Sequence, residues 1–214
     1  MAFPIADLYD FILPHVPAVD APIVNHAVVR AVRMIASQTA IQRASITVPT
    51  VVGQREYTVP PTAGNEIDTI IAVRLFPAAD PNSKGIRLYP ITTGVAEEMQ
   101  WFDDALPTSW SYVADKLSLY PAPDSVNNLS VTVIMRPELD SAADLDDVYF
   151  HHREVIADGA MAFLFAMPAK PWTNQQAAQE AYARFGRAIL ALRARNRAGG
   201  QVNNGTLKGV RFGA

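Results

Sequence analysis

Cysteine is missing from all 214 residues, which excludes disulfides and thiolate metal sites and suits a reducing compartment. Long hydrophobic runs are missing as well. The longest, residues 159–169, is far short of the roughly 20 residues that a membrane span needs, so no membrane partner is expected. The opening residues Met1-Ala2-Phe3-Pro4 bring no basic stretch and no apolar run, so no secretory signal is expected. No nucleophile elbow and no Gly-rich phosphate loop is found; Gly199-Gly200 and Asn203-Asn204-Gly205 read as linker or turn. Acidic residues are missing after Glu180. The last 34 residues hold Arg184, Arg187, Arg193, Arg195, Arg197, Lys208 and Arg211, a charge of +7. Of 18 basic residues that leaves 11 against 21 acidic ones, a net −10, in residues 1–180. A chain so polarised stacks on a partner or offers a basic end to an anion. A helix C-terminus complementing its own dipole accounts for two or three of these arginines only.

What is present is apolar material. Half the residues are hydrophobic and the mean hydropathy is +0.07, enough for a sizeable core in one large domain or two small ones. Residues 4–13 read as a short helix stopped by Pro14 and Pro17. Asp20-Ala21-Pro22 is a helix start, because Pro in a first turn has no N–H to waste. Val24, Ala27, Val28, Ala31, Ile35 and Thr39 then recur at helical spacing, predicting a helix of about 22 residues. From Ser45 the period changes. Strands are expected around Ile46–Val52, Tyr57–Val59, Ile67–Phe76, residues 86–89, residues 110–113, residues 116–120 and residues 129–135, broken by Pro49, Gly53, Pro60-Pro61 and Gly64-Asn65. In the last of them Leu129, Val131, Val133 and Met135 alternate with Ser130, Thr132 and Ile134. Residues 95–101 read as a short helix.

Helix is expected to return after Arg136-Pro137, with Ser141 or Asp144 as cap. Val148, His152, Val155, Ile156, Gly159, Ala160, Phe163, Leu164 and Met167 form its apolar face. Pro168 and Pro171 force an elbow that Trp172 fills, and Thr173 or Asn174 restarts the chain as a helix burying Ala178, Ala181, Tyr182, Phe185, Ile189 and Leu192. The expected fold is therefore α+β: a helical bundle formed by N- and C-terminal helices (residues 1–44 and 139–198), an inserted antiparallel β region (residues 45–138) and an extended C-terminal tail (residues 199–214).

Candidate chemistry is weak. His151 and His152 are adjacent, so on a helix their imidazoles diverge by about 100° and cannot readily share a metal. The reading preferred is His152 semi-buried and His151 on the surface. Asp103-Asp104 and Asp144, Asp146 and Asp147 read as caps and solvated charge rather than an acid/base pair. Trp101, Trp110, Trp172, Tyr112 and Tyr120 read as core more readily than as a sugar-binding platform. No catalytic residue, metal or cofactor is expected. Residues 206–212 mix apolar and basic side chains, as a strand-like peptide docking in a groove would.

One pattern resembles a family. Gly159-Ala160, Ala162 and Leu164, then Met167-Pro168, Lys170-Pro171-Trp172 and Asn174, then Ala181-Tyr182 and Phe185, resemble the helical hairpin of bacteriophage head-to-tail adaptors, the connector or gatekeeper proteins of short-tailed phages such as tail tubular protein A. The turn at residues 117–123 and the strand after it are similar too. The resemblance implies a structural virion protein and no enzyme. It implies a homo-oligomeric ring, a dodecamer, in the virion neck, assembled in the host cytoplasm. The ring would join the portal protein to a tail nozzle or other tail proteins, and phage DNA would pass through it with transient, non-specific contact. It also implies a tail that reaches the portal. The residues matched to that role are Leu207, Lys208, Val210, Arg211 and Phe212, with Arg193, Arg195 and Arg197 as its charged base. The alternative is an accessory module binding DNA or carbohydrate through the basic tail or the Trp-rich β region. A hydrolase built on His151, His152 and nearby aspartates ranks last.

Overall fold

The computed structural model describes residues 2–17, 19–77, 84–92, 95, 103–139 and 144–197. The chain starts with a short strand, β1 (Ala2–Pro4), a 3-10 turn (Ile5–Leu8) and a single α-turn, α1 (Tyr9–Ile12), so the helix expected over residues 4–13 is only partly formed. Helix α2 (Ala21–Thr39) begins where Asp20-Ala21-Pro22 placed it, with the Pro in its first turn, although the Asp20 side chain makes no capping bond. Every residue of the expected stripe, from Val24 to Thr39, is buried. Ala40 ends the helix in the left-handed region at φ 52° and turns the chain into the sheet.

The sheet comprises β2 (Arg43–Pro49), β3 (Glu56–Thr58), β4 (Asn65–Pro77), β5 (Ile86–Pro90), β6 (Ser109–Val113), β7 (Lys116–Tyr120) and β8 (Asn127–Pro137). Its order is β2-β8-β4-β5-β6-β7-β3, curling toward a barrel without closing, since the first and last strands do not pair. Along β8 burial alternates residue by residue, and Leu129, Val131, Val133 and Met135 face a core shared with Val73, Leu75, Leu88, Leu117 and Leu119.

The helical bundle with an inserted β region is not what forms. The chain is mixed α+β and the seven-stranded sheet dominates it, with four α-helices among the described residues. The strands are longer and more continuous than their Pro and Gly breaks suggested. β4 runs 13 residues through two β-bulges, and β8 runs 11 residues, past both ends of the strand expected over residues 129–135. Nor is the sheet wholly antiparallel, because β5 and β6 pair in parallel. Asp144 caps no helix; it lies in β9 (Asp144–Asp146), which pairs with β1. Ser141 and the helix expected over residues 95–101, apart from Val95, lie outside the described residues.

A 3-10 turn (Asp147–His152) leads into α3 (Arg153–Phe165), and α4 (Gln175–Arg197) follows the elbow. The elbow is held by two side chains. Thr173 Oγ1 donates to the Met167 carbonyl and accepts the Lys170 N–H, and Asn174 Oδ1 accepts the Ala177 N–H at 3.0 Å, capping α4. Trp172 packs half-buried against the helical core. Helices α2, α3 and α4 meet at Gly159. A Cβ there would lie 2.8 Å from Ala31 Cβ and 2.7 Å from Phe185 Cε2, so only glycine allows this approach. The core formed there also takes in Ile5, Leu8, Ile12, Leu145 and Tyr149.

Candidate functional site

Three features can bear on partners: the joint between helices and sheet, the outer face of α4, and the point where the chain leaves α4. The joint is ionic. Glu66 Oε1 accepts Arg33 Nη2 from α2 and Arg136 Nε from β8, both at 2.6 Å, while Arg33 Nη1 donates to the Pro137 carbonyl at 2.7 Å. Asp68 falls at the first bulge of β4, the extra residue between Ile67, which pairs with Met135, and Thr69, which pairs with Ile134. The bulge re-aims its carboxylate to accept Ser37 Oγ at 3.0 Å and Arg136 Nη1 at 2.8 Å. Burial alone would raise the Glu66 carboxyl, but hydrogen bonds from Arg136 and Arg33 and their charges outweigh it and hold it below the usual glutamate range. Sequence spacing gave no sign of this joint, because its members lie up to 104 residues apart.

On α4 the expected inward residues Ala178, Ala181, Phe185 and Ile189 are buried, and Leu192 packs against the same core. Tyr182 is the exception. It is 54% exposed, and Leu190, two turns on, is 65% exposed. Gly186 lies between them at the same four-residue spacing, so the three form an outward stripe. A shallow groove beside Tyr182 is lined by Ala162, Ala166, Ala178 and Ala183.

Arg193 and Arg195 are exposed on the last turns of α4, and Arg197 is its final residue. Asn196 Nδ2 donates to the Thr39 carbonyl at 3.0 Å and ties this end to the end of α2. Leu207, Lys208, Val210, Arg211 and Phe212 lie outside the described residues, so the structure brings none of them to a site. His151 is exposed and His152 half-buried, as read. Burial first, then the charges of His151 and Arg195, push the His152 imidazole below its ordinary value. Asp103 and Asp104 are exposed, and among the described residues no group of three His, Asp or Glu is placed to hold a metal ion. Trp110 is 6% exposed inside the sheet core and Tyr112 packs against it, so they offer no open sugar-stacking platform; Trp101 lies outside the described residues.

Comparison with known proteins bears on the same body. No curated protein matches the chain. The family model described as SU10 adaptor protein matches residues 5–205, which takes in the sheet, the joint, the elbow and all of α4. The chain thus belongs to the SU10 adaptor protein family of phage head-to-tail adaptors, structural proteins of the virion.

Proposed function

We propose that this chain is one subunit of a ring of about twelve copies that joins the portal to the tail, with phage DNA passing through its lumen. On this reading residues 199–214 dock on the portal through Leu207, Lys208, Val210, Arg211 and Phe212, and Arg193, Arg195 and Arg197 form the charged base of that arm. The outward stripe of Tyr182, Gly186 and Leu190 is the face that packs on the neighbouring copy, because an exposed apolar stripe on a rigid helix is the surface a subunit contact requires. A tail nozzle or another tail protein meets the opposite end, DNA contact is transient and non-specific, and copies assemble in the host cytoplasm.

The observation that carries the portal arm is the charge of the exit point. No acidic residue follows Glu180, and α4 carries exposed Arg193 and Arg195 to the end of the described body. An arm leaving there starts from a cationic base, carries Lys208 and Arg211 and no acidic residue, and suits an acidic or carbonyl-lined groove on a partner. The test is co-sedimentation with portal particles. The full chain should pellet with them, and a chain ending at residue 198 should stay in the supernatant with an unchanged circular dichroism spectrum. A truncated chain that still pellets at the full-length level would remove the arm from portal binding.

A further inference from the structure

Strand β2 is the first in the sheet and pairs with β8 alone, so alternate N–H and C=O groups along its other side have no strand partner among the described residues. It is seven residues long, and its inward-facing Ala44, Ile46 and Val48 are only half-buried at the rim of the sheet core. An open, partly apolar edge of this length is a template for one more strand.

The position of the chain's exit supplies the occupant. The Asn196–Thr39 bond holds the last turn of α4 against the last residue of α2, and β2 starts only four residues beyond Thr39. The chain therefore leaves α4 close to the residues that lead from α2 into β2. Residues 198–205 reach at most about 28 Å, while seven residues of strand span about 23 Å, so residues 206–212 can be laid against any part of β2. That segment contains no proline, hence each of its residues has an N–H to give a ladder. Val210 and Phe212 are two apart and share one face of any extended strand, where they would continue the apolar strip of Ala44, Ile46 and Val48.

We propose that residues 206–212 add to the free edge of β2 in the same subunit as an eighth strand when no partner is bound. The proposal goes beyond the portal reading and does not depend on it. If both hold, the arm is parked on its own sheet, and capture by the portal requires it to be released, which uncovers the β2 edge at the moment of attachment.

Amide hydrogen exchange on the isolated full chain tests this, with Val210→Pro as the variant, since a proline there removes one donor and disturbs the ladder. In the full chain the outward amides of residues 43–48 should be protected, and Val210→Pro should speed their exchange about tenfold while the amides of β8 stay as they were. The same acceleration is expected in a chain ending at residue 198. Equal exchange in all three proteins would overturn the proposal. So would protection that grows with protein concentration, because the strand would then come from another copy. Neither result touches portal co-sedimentation, which stands or falls separately.

Discussion

The Tyr149 hydroxyl donates to Gln42 Oε1 at 2.8 Å, and both side chains are buried. This bond joins the approach to α3 to the turn that enters β2. Gln42 is tied to the sheet as well, because its carbonyl accepts the Met135 N–H at 3.0 Å and its amide donates to Asn65 Oδ1 at 3.1 Å. One glutamine thus connects the helical core with β4 and β8. Tyr149→Phe keeps the ring and removes the donor. Loss of this buried hydrogen bond costs about 1–2 kcal/mol, so Tm should fall by about 2–8 °C in a chain of this length. An unchanged melting curve would show that the bond does not hold the two layers.

The ionic joint makes stability depend on acidity. Glu66 ionises more readily in the fold than in the unfolded chain, where its value is about 4.3. Its contribution is therefore complete above that value and disappears as pH falls through the lower folded value. Glu66→Gln should be less stable than the parent at neutral pH, and the gap should close as pH falls through that lower folded value. Urea midpoints of both proteins across that range check it; a gap that stays constant with pH would contradict the assignment.

His152 shows the same sign for a different reason. The fold disfavours its charged form, first through burial and then through His151 and Arg195. The unfolded chain takes up that proton near pH 6.5, so stability is fully present above this value and is lost as pH falls below it toward the folded value. His152→Asn should flatten that slope. Arg195→Gln should raise the His152 value in an NMR titration but leave it under 6.5, since burial remains. A parent His152 that titrates at 6.5 or above would refute this.

Two glycines should respond oppositely to alanine. At Gly159 the new methyl meets Ala31 and Phe185, and overpacking of about 1–3 kcal/mol outweighs the helix-propensity gain of about 1 kcal/mol. At Gly186 nothing lies within 4 Å, so only the gain of about 0.5–1 kcal/mol remains. Denaturant titration should therefore move the midpoint down for Gly159→Ala and up for Gly186→Ala.

The sequence made local structure legible where one period dominates. The α2 stripe, the β8 alternation, the Pro-marked elbow and the close approach at Gly159 all follow from spacing or side-chain size. Long-range organisation was not legible. The bulge at Asp68 shifts the period of β4, and the β1–β9 pair joins residues some 140 positions apart in segments too short to show a period. Strong helical stripes at both ends therefore suggested a helical bundle, while the sheet that outweighs it was divided among short runs. Of the candidate site, the basic end of α4 was visible as charge. The outward stripe was not, because an exposed tyrosine and a buried one look alike in a sequence.

The central claim is that this adaptor forms a ring on the portal. Electron microscopy of the full chain mixed with portal rings tests it most directly. The account expects an added ring of density, coaxial with the portal and on one face of it only. Portal rings that look the same with and without the protein would contradict it.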